Sequence, residues 1–513
     1  MSRLKKFIFN SFLMTGTAFF MRFVALAFGV WISNKIGAEA MGLYSLISSV
    51  YAFAFTLATA GISLTVTRMT ADALGRGKNA EIRGIMARCI LYALFFGILS
   101  QMLLSAFAGI IGNKILSDTR TVAPLRLMSF TLPLIAVASA LAGYFTAMRR
   151  VVKNSATQIT EQGIKITVTV ILLTTVMPDG IEYACIALAL GGLVAETLSA
   201  ILMILLYIAD KRKYVEKGEF DGDGMTKKMM WIARPVAFST LIRSALVTVE
   251  HILIPFGLRK SGSSRERSLA AYGTLTGMAL PVIMFPMALI SSFAGMTVPE
   301  LSECLAKGHK NRIRYIAGRV WQFSLLFAIG ISGVFICFSD ELGAVLYNNA
   351  EAGLYIRLLS PLLPIMYLDH TTDALLKGLG EQFYSMNVNL IDAALSCVLV
   401  LLLVPAFGIN GYVAIIIIME CLNFGLSAVR LIKISSLRPR LVKWLVRPLL
   451  CVVAATLASY FLFSFIEIPI AWLSLGLHLL VSSALYIIIL GVTQTVDAED
   501  KKWIKSIFKS KER

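Results

Sequence analysis

Two arginines lie deep within long apolar stretches of this 513-residue chain, Arg22 near the middle of one and Arg243 near the middle of another. A charge at that depth cannot face hydrocarbon cheaply. The planar guanidinium fork accepts bidentate contacts, so a pair of such arginines suits a phosphate or pyrophosphate group. The alternative interpretation is that each arginine pairs with a carboxylate and only holds helices together.

Further ionisable side chains lie in the same kind of apolar surroundings. Glu250 and His251 follow Arg243 on roughly one helical face. His251 could relay protons, or it could be a packing histidine with a satisfied hydrogen bond. Asp369 and His370 lie deep in another apolar stretch, predicted span ten. Six residues are therefore expected to bind substrate: Arg22, Arg243, Glu250, His251, Asp369 and His370.

Three other acids are candidates for coupling transport to an ion, either H⁺ or Na⁺. Glu196 and Glu420 are acids in apolar segments with no evident partner in the sequence. Asp392 lies in a third such segment and has no lysine one helical turn away. Protonation would keep such a group neutral in an apolar site. A hydrogen-bonded acid would have the same sequence pattern, so both interpretations stay open.

Two acid–lysine pairs are expected to be structural. Glu161 and Lys165 are four residues apart, as are Asp373 and Lys377. Residues with this spacing are neighbours on a helix surface and neutralise each other.

The chain contains no recognisable catalytic motif: no nucleophile elbow, no phosphate-binding loop and no metal-binding histidine pair. Its seven cysteines are isolated, which indicates packing rather than a disulfide or metal framework. We therefore expect no enzyme activity, no metal and no cofactor. The net charge of +18 comes from short basic clusters between apolar blocks, so nucleic acid is not an expected partner.

The elements that carry these residues are predicted to be transmembrane helices. The chain is 57% hydrophobic and 15% charged, and the excess over a soluble domain lies in runs of about 20 residues, the length that spans a bilayer. The pattern predicts an all-α polytopic membrane protein with about fourteen spans, near 10–33, 42–67, 88–112, 124–148, 158–177, 183–209, 232–257, 270–297, 316–338, 355–376, 385–404, 412–432, 446–466 and 473–494.

Charge asymmetry predicts that both termini are cytoplasmic. With the first apolar run as a span, and not a cleaved signal peptide, lysine and arginine are concentrated in the segments placed inside. The basic segments 211–213, 307–319 and 501–513 are the strongest signals. One outer loop fits poorly, because after span seven it carries four basic residues: Arg259, Lys260, Arg265 and Arg267.

An internal repeat relates spans one to six to spans seven to twelve. At an offset of 231 residues, Leu132-Pro133 matches Leu363-Pro364 and Glu161 matches Asp392. Six spans per repeat give both halves the same orientation, as in transporters built from parallel repeats. The predicted organisation is an N-terminal lobe, a cytoplasmic linker, a C-terminal lobe, two additional helices and a basic cytoplasmic tail, at 1–210, 211–231, 232–435, 436–494 and 495–513.

Several short motifs resemble one family of membrane proteins. They include Met41-Gly42-Leu43-Tyr44, Glu250 to Pro255, Gly277 to Pro281, Val298 to Glu303 and Leu376 to Gly380. In order and spacing, over about residues 5–435, these motifs resemble the polysaccharide and lipid-linked oligosaccharide flippases of the MOP superfamily. This superfamily also includes MATE drug exporters and MurJ-like lipid II flippases. The nearest branch is that of stage V sporulation protein B.

The resemblance implies two six-helix lobes around a central cavity and transport of undecaprenyl-pyrophosphate-linked glycans for cell-wall, spore-cortex or surface polysaccharide. Arg22 matches a basic residue that MurJ-like proteins carry in the first helix. This chain departs from them at Phe28 and at the uncharged residues 52–59, where they place further arginines. That departure weighs against lipid II itself as the cargo. The implied partners are the lipid-linked glycan, membrane lipids, H⁺ or Na⁺, and cell-wall synthesis proteins.

Other functions remain open from the sequence. A MATE-like exporter of drugs or small cations would depend on carboxylates such as Glu250, Asp369 and Glu420 more than on the arginines. A major-facilitator carrier is suggested faintly by the residues that follow span two, but fourteen spans argue against it. A membrane scaffold for wall-synthesis enzymes would not need charges within its spans.

Overall fold

The structure, a computed structural model, describes residues 3–59, 61–176, 180–214, 224–440, 442–463 and 469–495. Within these ranges the chain is helical and has no β-strand, which confirms the predicted all-α class. The predicted basic tail lies outside the described residues except for its first position, Thr495. The predicted linker is described only at its two ends.

The described residues form nineteen α-helices, joined in places by short 3₁₀ or π-helical turns. In chain order they are α1 (Arg3–Thr59), α2 (Ile62–Gly75), α3 (Glu81–Ile110), α4 (Val122–Ser129), α5 (Leu132–Ala147), α6 (Val151–Ile171), α7 (Ile181–Tyr214), α8 (Met225–Lys260), α9 (Arg265–Gly273), α10 (Leu280–Met284), α11 (Met287–Ala306), α12 (Lys310–Cys337), α13 (Ser339–Tyr347), α14 (Ala350–Leu359), α15 (Leu363–Gly378), α16 (Gln382–Phe407), α17 (Ile409–Ser435), α18 (Arg447–Phe463) and α19 (Ala471–Val492).

These helices make the chain a multi-pass membrane protein. In the described part of the chain, ten helical stretches are long and apolar enough to cross a bilayer, and two bent helix pairs raise the number to twelve. The first of the ten, Phe19–Gly75, covers 57 residues and includes predicted span two and the larger part of predicted span one. Each of the fourteen predicted spans has its described residues mainly on helical stretches, so the structure is consistent with that number.

Glycine and proline mark the breaks between these helical stretches. Gly37 interrupts α1 with φ 81° and ψ 171°, a conformation that a side chain disfavours, and it separates predicted spans one and two. Spans four and eight are each bent, by 45° and 53°. A proline lies at the start of the helix after each bend, Pro133 in the first turn of α5 and Pro286 as the N-cap of α11, where its missing N–H costs no hydrogen bond.

The internal repeat has a structural counterpart. In the first half the short helix α4 ends at Ser129, and α5 begins at Leu132 with a proline in its first turn. In the second half α14 ends at Leu359, and α15 begins at Leu363 with a proline in the same place. Both α5 and α15 contain 16 residues.

The helices divide into two compact units. Among the described residues, the first contains residues 3–6, 22–35 and those from 274 onward, and the second contains residues 7–21 and those between 36 and 273. In the first unit, α18 and α19 pack closely on α12. A Cβ atom at Gly330 would lie 2.6 Å from the ring of Tyr486, and one at Gly333 would lie 2.3 Å from Val452. Tyr486 also donates a hydrogen bond to the Leu326 carbonyl at 2.8 Å.

In the second unit, α8 lies against the part of α1 that follows Gly37. Thr248 donates a hydrogen bond to the Ser49 carbonyl at 3.0 Å, and Thr56 donates one to the Ser244 hydroxyl at 3.1 Å. These polar contacts join predicted spans two and seven within their apolar stretches, where unsatisfied hydroxyl groups would be costly.

Candidate functional site

Both intramembrane arginines are exposed and unpaired in the described structure. Arg22 lies on α1 in the first unit, and Arg243 lies on α8 in the second. Neither guanidinium group forms an ion pair or a hydrogen bond with another described residue. The structural alternative, in which each arginine pairs with a carboxylate, therefore does not describe these two residues. Their five N–H donors remain available for an anion.

Around Arg22, the first unit brings together several of the residues singled out in the sequence. The Arg22 guanidinium is close enough to His370 on α15 to interact with it electrostatically. Next to His370, Asp369 is half-buried, and its Oδ1 atom is buried without a hydrogen-bond partner among the described residues. A buried carboxylate oxygen without a donor is costly unless a proton or cation satisfies it.

Asp369 is part of a cluster of three acids in the first unit, which we call the C-terminal acid cluster. Asp392 on α16 and Glu420 on α17 are half-buried and interact electrostatically with Asp369 and with each other. Like charges at this range favour uptake of a proton or cation, because the three groups cannot all be ionised without mutual repulsion. In the described ranges, no group of three or more acidic, histidine or cysteine side chains has the arrangement of a metal site.

Asp373, one turn from Asp369, forms the ion pair expected from its spacing. The Lys377 Nζ atom lies 2.5 Å from Asp373 Oδ2, and the Ser385 hydroxyl donates to Asp373 Oδ1. Asp373 is therefore neutralised, in contrast to Asp369.

In the second unit, His251 is engaged in a hydrogen bond. Its Nδ1 atom lies 2.6 Å from the Tyr272 hydroxyl, and the two rings meet edge to face. This contact favours the interpretation of His251 as a packing histidine. Glu250 is half-buried on the same helix, and Arg243 lies two turns earlier.

The second unit also contains a pair of acids, Glu161 on α6 and Glu196 on α7, which we call the N-terminal acid pair. The two carboxyl groups are adjacent, within range for a hydrogen bond and for electrostatic repulsion. Ser199 donates a hydrogen bond to Glu161 Oε2 at 3.0 Å. Lys165 interacts electrostatically with Glu196. The expected Glu161–Lys165 ion pair does not form among the described residues, because the carboxyl group of Glu161 is directed toward Ser199 and Glu196.

The positions at which the chain departs from MurJ-like proteins are occupied by packing contacts. Phe28 is 9% exposed, and its ring stacks with that of Trp31 at a centroid distance of 6.2 Å. In the uncharged stretch 52–59, Thr56 contacts α8. An arginine at either position would have to be accommodated among these contacts.

Several polar residues near these sites were not identified from the sequence. Tyr51 and Thr131 share a hydrogen bond of 2.5 Å, and Tyr51 interacts electrostatically with both acids of the N-terminal acid pair. Ser199 and Ser385 hold carboxylates. Serine and threonine are common in membrane helices, so only Thr131, directly before the repeated Leu-Pro, had a signal in the sequence.

Comparisons with known proteins give consistent matches. A family model described as polysaccharide biosynthesis protein matches residues 4–305, and one described as MatE matches residues 261–402. Stage V sporulation protein B of Bacillus subtilis (strain 168) is 26% identical over 389 residues, which cover 74% of this chain and 75% of that protein.

Solved structures show the same fold. The inward closed conformation of the lipid II flippase MurJ has a TM-score of 0.70 at 13% identity, covering 94% of this chain and 98% of that one. An inward-facing multidrug resistance MATE transporter of the MOP superfamily has a TM-score of 0.66 at 13% identity, covering 81% and 96%. At these identities the likeness concerns the fold alone.

Proposed function

The chain belongs to the family of polysaccharide biosynthesis proteins, and from this premise we propose that it is a flippase for an undecaprenyl-pyrophosphate-linked glycan. The resemblance to the MOP superfamily that the motifs indicated is confirmed by the family models, the sporulation-protein relative and the shared fold. The glycan would be a precursor of cell wall, spore cortex or surface polysaccharide. We place the protein in the bacterial cytoplasmic membrane, with both termini in the cytoplasm.

The observation that carries this proposal is the pair of unpaired arginines. Arg22 and Arg243 are exposed and lie in the middle of apolar helices, where a charge is energetically costly and therefore usually has a function. Each guanidinium group can donate hydrogen bonds to two phosphate oxygens at once, and a pyrophosphate offers such oxygens. We propose that each arginine binds the anionic head group while the polyprenyl tail stays in the bilayer. Alternating access would then expose the head group to one side of the membrane and then to the other.

The family branch supports the choice of cargo. The relative from Bacillus subtilis is named a sporulation protein, and one of the solved structures with this fold is a lipid II flippase. The uncharged residues in place of further MurJ-like arginines favour a glycan carrier other than lipid II.

A flipping assay in proteoliposomes tests the proposal, with a fluorescent polyprenyl-pyrophosphate glycan as the cargo. Arg22→Ala and Arg243→Ala should each lower the rate by roughly tenfold or more, because each removes charge-assisted hydrogen bonds. Arg22→Lys and Arg243→Lys should lower the flipping rate less than the alanine variants do, because they keep the charge but lack the bidentate fork.

Arg126→Ala is the matched control, because Arg126 is an exposed arginine at the beginning of predicted span four, away from its middle. Its flipping rate should equal that of the native chain. Normal flipping by both alanine variants, with native yield of folded protein, would exclude the arginines from the mechanism.

A second candidate function is cation-coupled export of drugs or small molecules. It is favoured by the C-terminal acid cluster, since the MatE model covers two of its members, Asp369 and Asp392. In that case, carboxylate variants would alter drug sensitivity in cells, whereas Arg22→Ala would not.

A further inference from the structure

Four charged side chains form a network at the predicted outer end of the second unit. Its centre is Asp118, only 3% exposed. Arg120 donates to both carboxylate oxygens of Asp118, with Nε 3.0 Å from Oδ1 and Nη2 2.8 Å from Oδ2. Arg265 lies on the other side, with Nη2 2.8 Å from Asp118 Oδ2. Arg120 also donates to Glu39 at 3.1 Å.

The network joins three separate connections between helices. Glu39 follows the break of α1 at Gly37, Asp118 and Arg120 lie between α3 and α4, and Arg265 is the first residue of α9. All three are predicted to be outer connections. Arg265 is one of the four basic residues that fitted the predicted topology poorly, and in this structure it is paired with Asp118.

Two glycines bring the same elements into backbone contact beside the network. A Cβ atom on Gly42 of α1 would lie 2.0 Å from the Leu269 carbonyl oxygen of α9. A Cβ atom on Gly273, at the end of α9, would lie 2.1 Å from the Ala38 carbonyl oxygen. Any side chain at either position would force the two helices apart.

We propose that this network and glycine contact form an outer latch, which is closed in this structure and must open once in each transport cycle. The inference rests on the proposed alternating access. In this structure all residues of the latch lie in one compact unit. The predicted lobes divide them, because residues 38–42 and 118–120 belong to the predicted N-terminal lobe and Arg265 and Gly273 to the predicted C-terminal lobe. If the lobes move relative to each other, the outer end can open only when these elements separate.

The arrangement of charges allows α9 to separate from the other two connections and to return to them. Arg120 is two residues from Asp118 and would stay with it when α9 moves away, so Asp118 would not be left as an unpaired buried charge. Only the Asp118–Arg265 pair would break. The Arg265 side chain is 42% exposed, so water can solvate it after separation. Gly42 and Gly273 have no side chains that would have to disengage when the helices separate.

The latch can be tested by labelling a cysteine from outside the cell. Thr248 of α8, the helix before α9, donates a hydrogen bond to the Ser49 carbonyl of α1, the helix that carries Glu39 and Gly42. We would therefore introduce Thr248→Cys after replacing the seven native cysteines. A membrane-impermeant maleimide is then applied to intact cells. Arg265→Gln should raise the labelling rate roughly fivefold or more, the size of a typical coupling between conformational states. Arg265→Lys should raise it less.

Arg357→Gln is the matched control, because Arg357 pairs with Asp340 at another predicted outer connection, in the first unit. It should leave labelling unchanged. A rate in Arg265→Gln equal to that of the parent, or an equal rise in Arg357→Gln, would overturn the latch.

A second measurement, the effect of salt on labelling, tests the latch with Arg265 in place. High salt screens partly exposed ion pairs, so it should raise the labelling of Thr248→Cys in the otherwise native latch and have little effect when Arg265→Gln is also present. An equal salt effect in both proteins would count against the latch even if Arg265→Gln folds poorly.

The labelling requires no cargo, so it separates the latch from the proposed function. If no polyprenyl-pyrophosphate glycan is flipped but labelling rises in Arg265→Gln, the latch is supported and the protein transports a different cargo. If the glycan is flipped but labelling does not respond, the function stands and the latch fails.

Discussion

Glu161 and Asp392 occupy equivalent positions of the internal repeat, each the eleventh residue of its helix, yet their surroundings differ. Glu161 has a hydrogen bond from Ser199, an adjacent Glu196, and Lys165 nearby to offset the charge of the pair. Asp392 lies instead with two further acids, one of which has an oxygen atom without a partner in the described chain.

This difference indicates that the two repeats have different tasks. The N-terminal acid pair has a lysine and a serine that stabilise it in place. In the C-terminal acid cluster, the nearby lysine Lys377 is already paired with Asp373. We therefore expect any ion coupled to transport, H⁺ or Na⁺, to bind the C-terminal acid cluster, and the N-terminal acid pair to be mainly structural.

The largest expected effect is that of Asp369→Asn. Removing the buried carboxylate should abolish the response of transport to an imposed pH or sodium gradient, because the group that takes up the cation is lost. Proteoliposome flux with and without each gradient measures this. Asp373→Asn is the matched control, since its carboxylate is already paired with Lys377, and it should keep the gradient response. If Asp369→Asn keeps its response to the gradient, the C-terminal acid cluster does not bind the coupling ion, and the proposed difference between the two repeats is wrong.

A smaller effect is expected from Glu196→Gln. The variant keeps the shape of the N-terminal acid pair, removes one like charge and leaves the Ser199 hydrogen bond to Glu161 in place. Transport should keep its gradient response, and the free energy of unfolding should change by about 1 kcal/mol or less. Loss of the gradient response in this variant alone would show that the two repeats have the opposite roles.

The lysine of the N-terminal acid pair can be tested by a double-mutant cycle. Lys165→Ser introduces the residue found at the equivalent position of the second repeat, Ser396. Lys165→Ser should destabilise the native chain, and the loss should shrink when Glu196→Gln is also present. The expected interaction energy is about 0.5 kcal/mol or more, measured from thermal unfolding in detergent. Additive effects would mean that Lys165 does not stabilise the pair.

The smallest expected effect concerns pH and the outer latch. Burial alone would raise the pKa of Asp118, but the side-chain and backbone hydrogen bonds of Arg120, with the charge of Arg265, lower it below its ordinary value of 3.8. A lowered pKa contributes stability above the ordinary value, and this stability is lost only as the pH falls toward the lowered one. Labelling of Thr248→Cys should therefore be constant between about pH 5 and pH 8. A marked rise within that window would assign control of the latch to another group.

The fold could be predicted from the sequence because each span is a local property. An apolar run of sufficient length is a helix in a membrane wherever it packs, and the repeated Leu-Pro at 132–133 and 363–364 marked equivalent helix starts. The Asp373–Lys377 pair followed from the same local geometry.

The surroundings of the acids could not be predicted, because they depend on contacts between helices. Helical spacing favoured Lys165 as the partner of Glu161, but α7 brings Glu196 and Ser199 to it instead. In the same way, the buried oxygen of Asp369 is isolated because of how α15, α16 and α17 pack, and no residue near it in sequence indicates this.

The close packing of α18 and α19 on α12, through Gly330 and Gly333, has a consequence for biosynthesis. The second unit is complete once residue 273 has been synthesised, whereas the first unit combines residues 22–35 with helices from the end of the chain. Until α18 and α19 emerge from the ribosome, the glycine face of α12 lacks Val452 and Tyr486, the residues that pack on it. The second unit can therefore fold while translation continues, but the first must wait for its last helices, and a nonsense mutation after Ser435 would leave it unfinished.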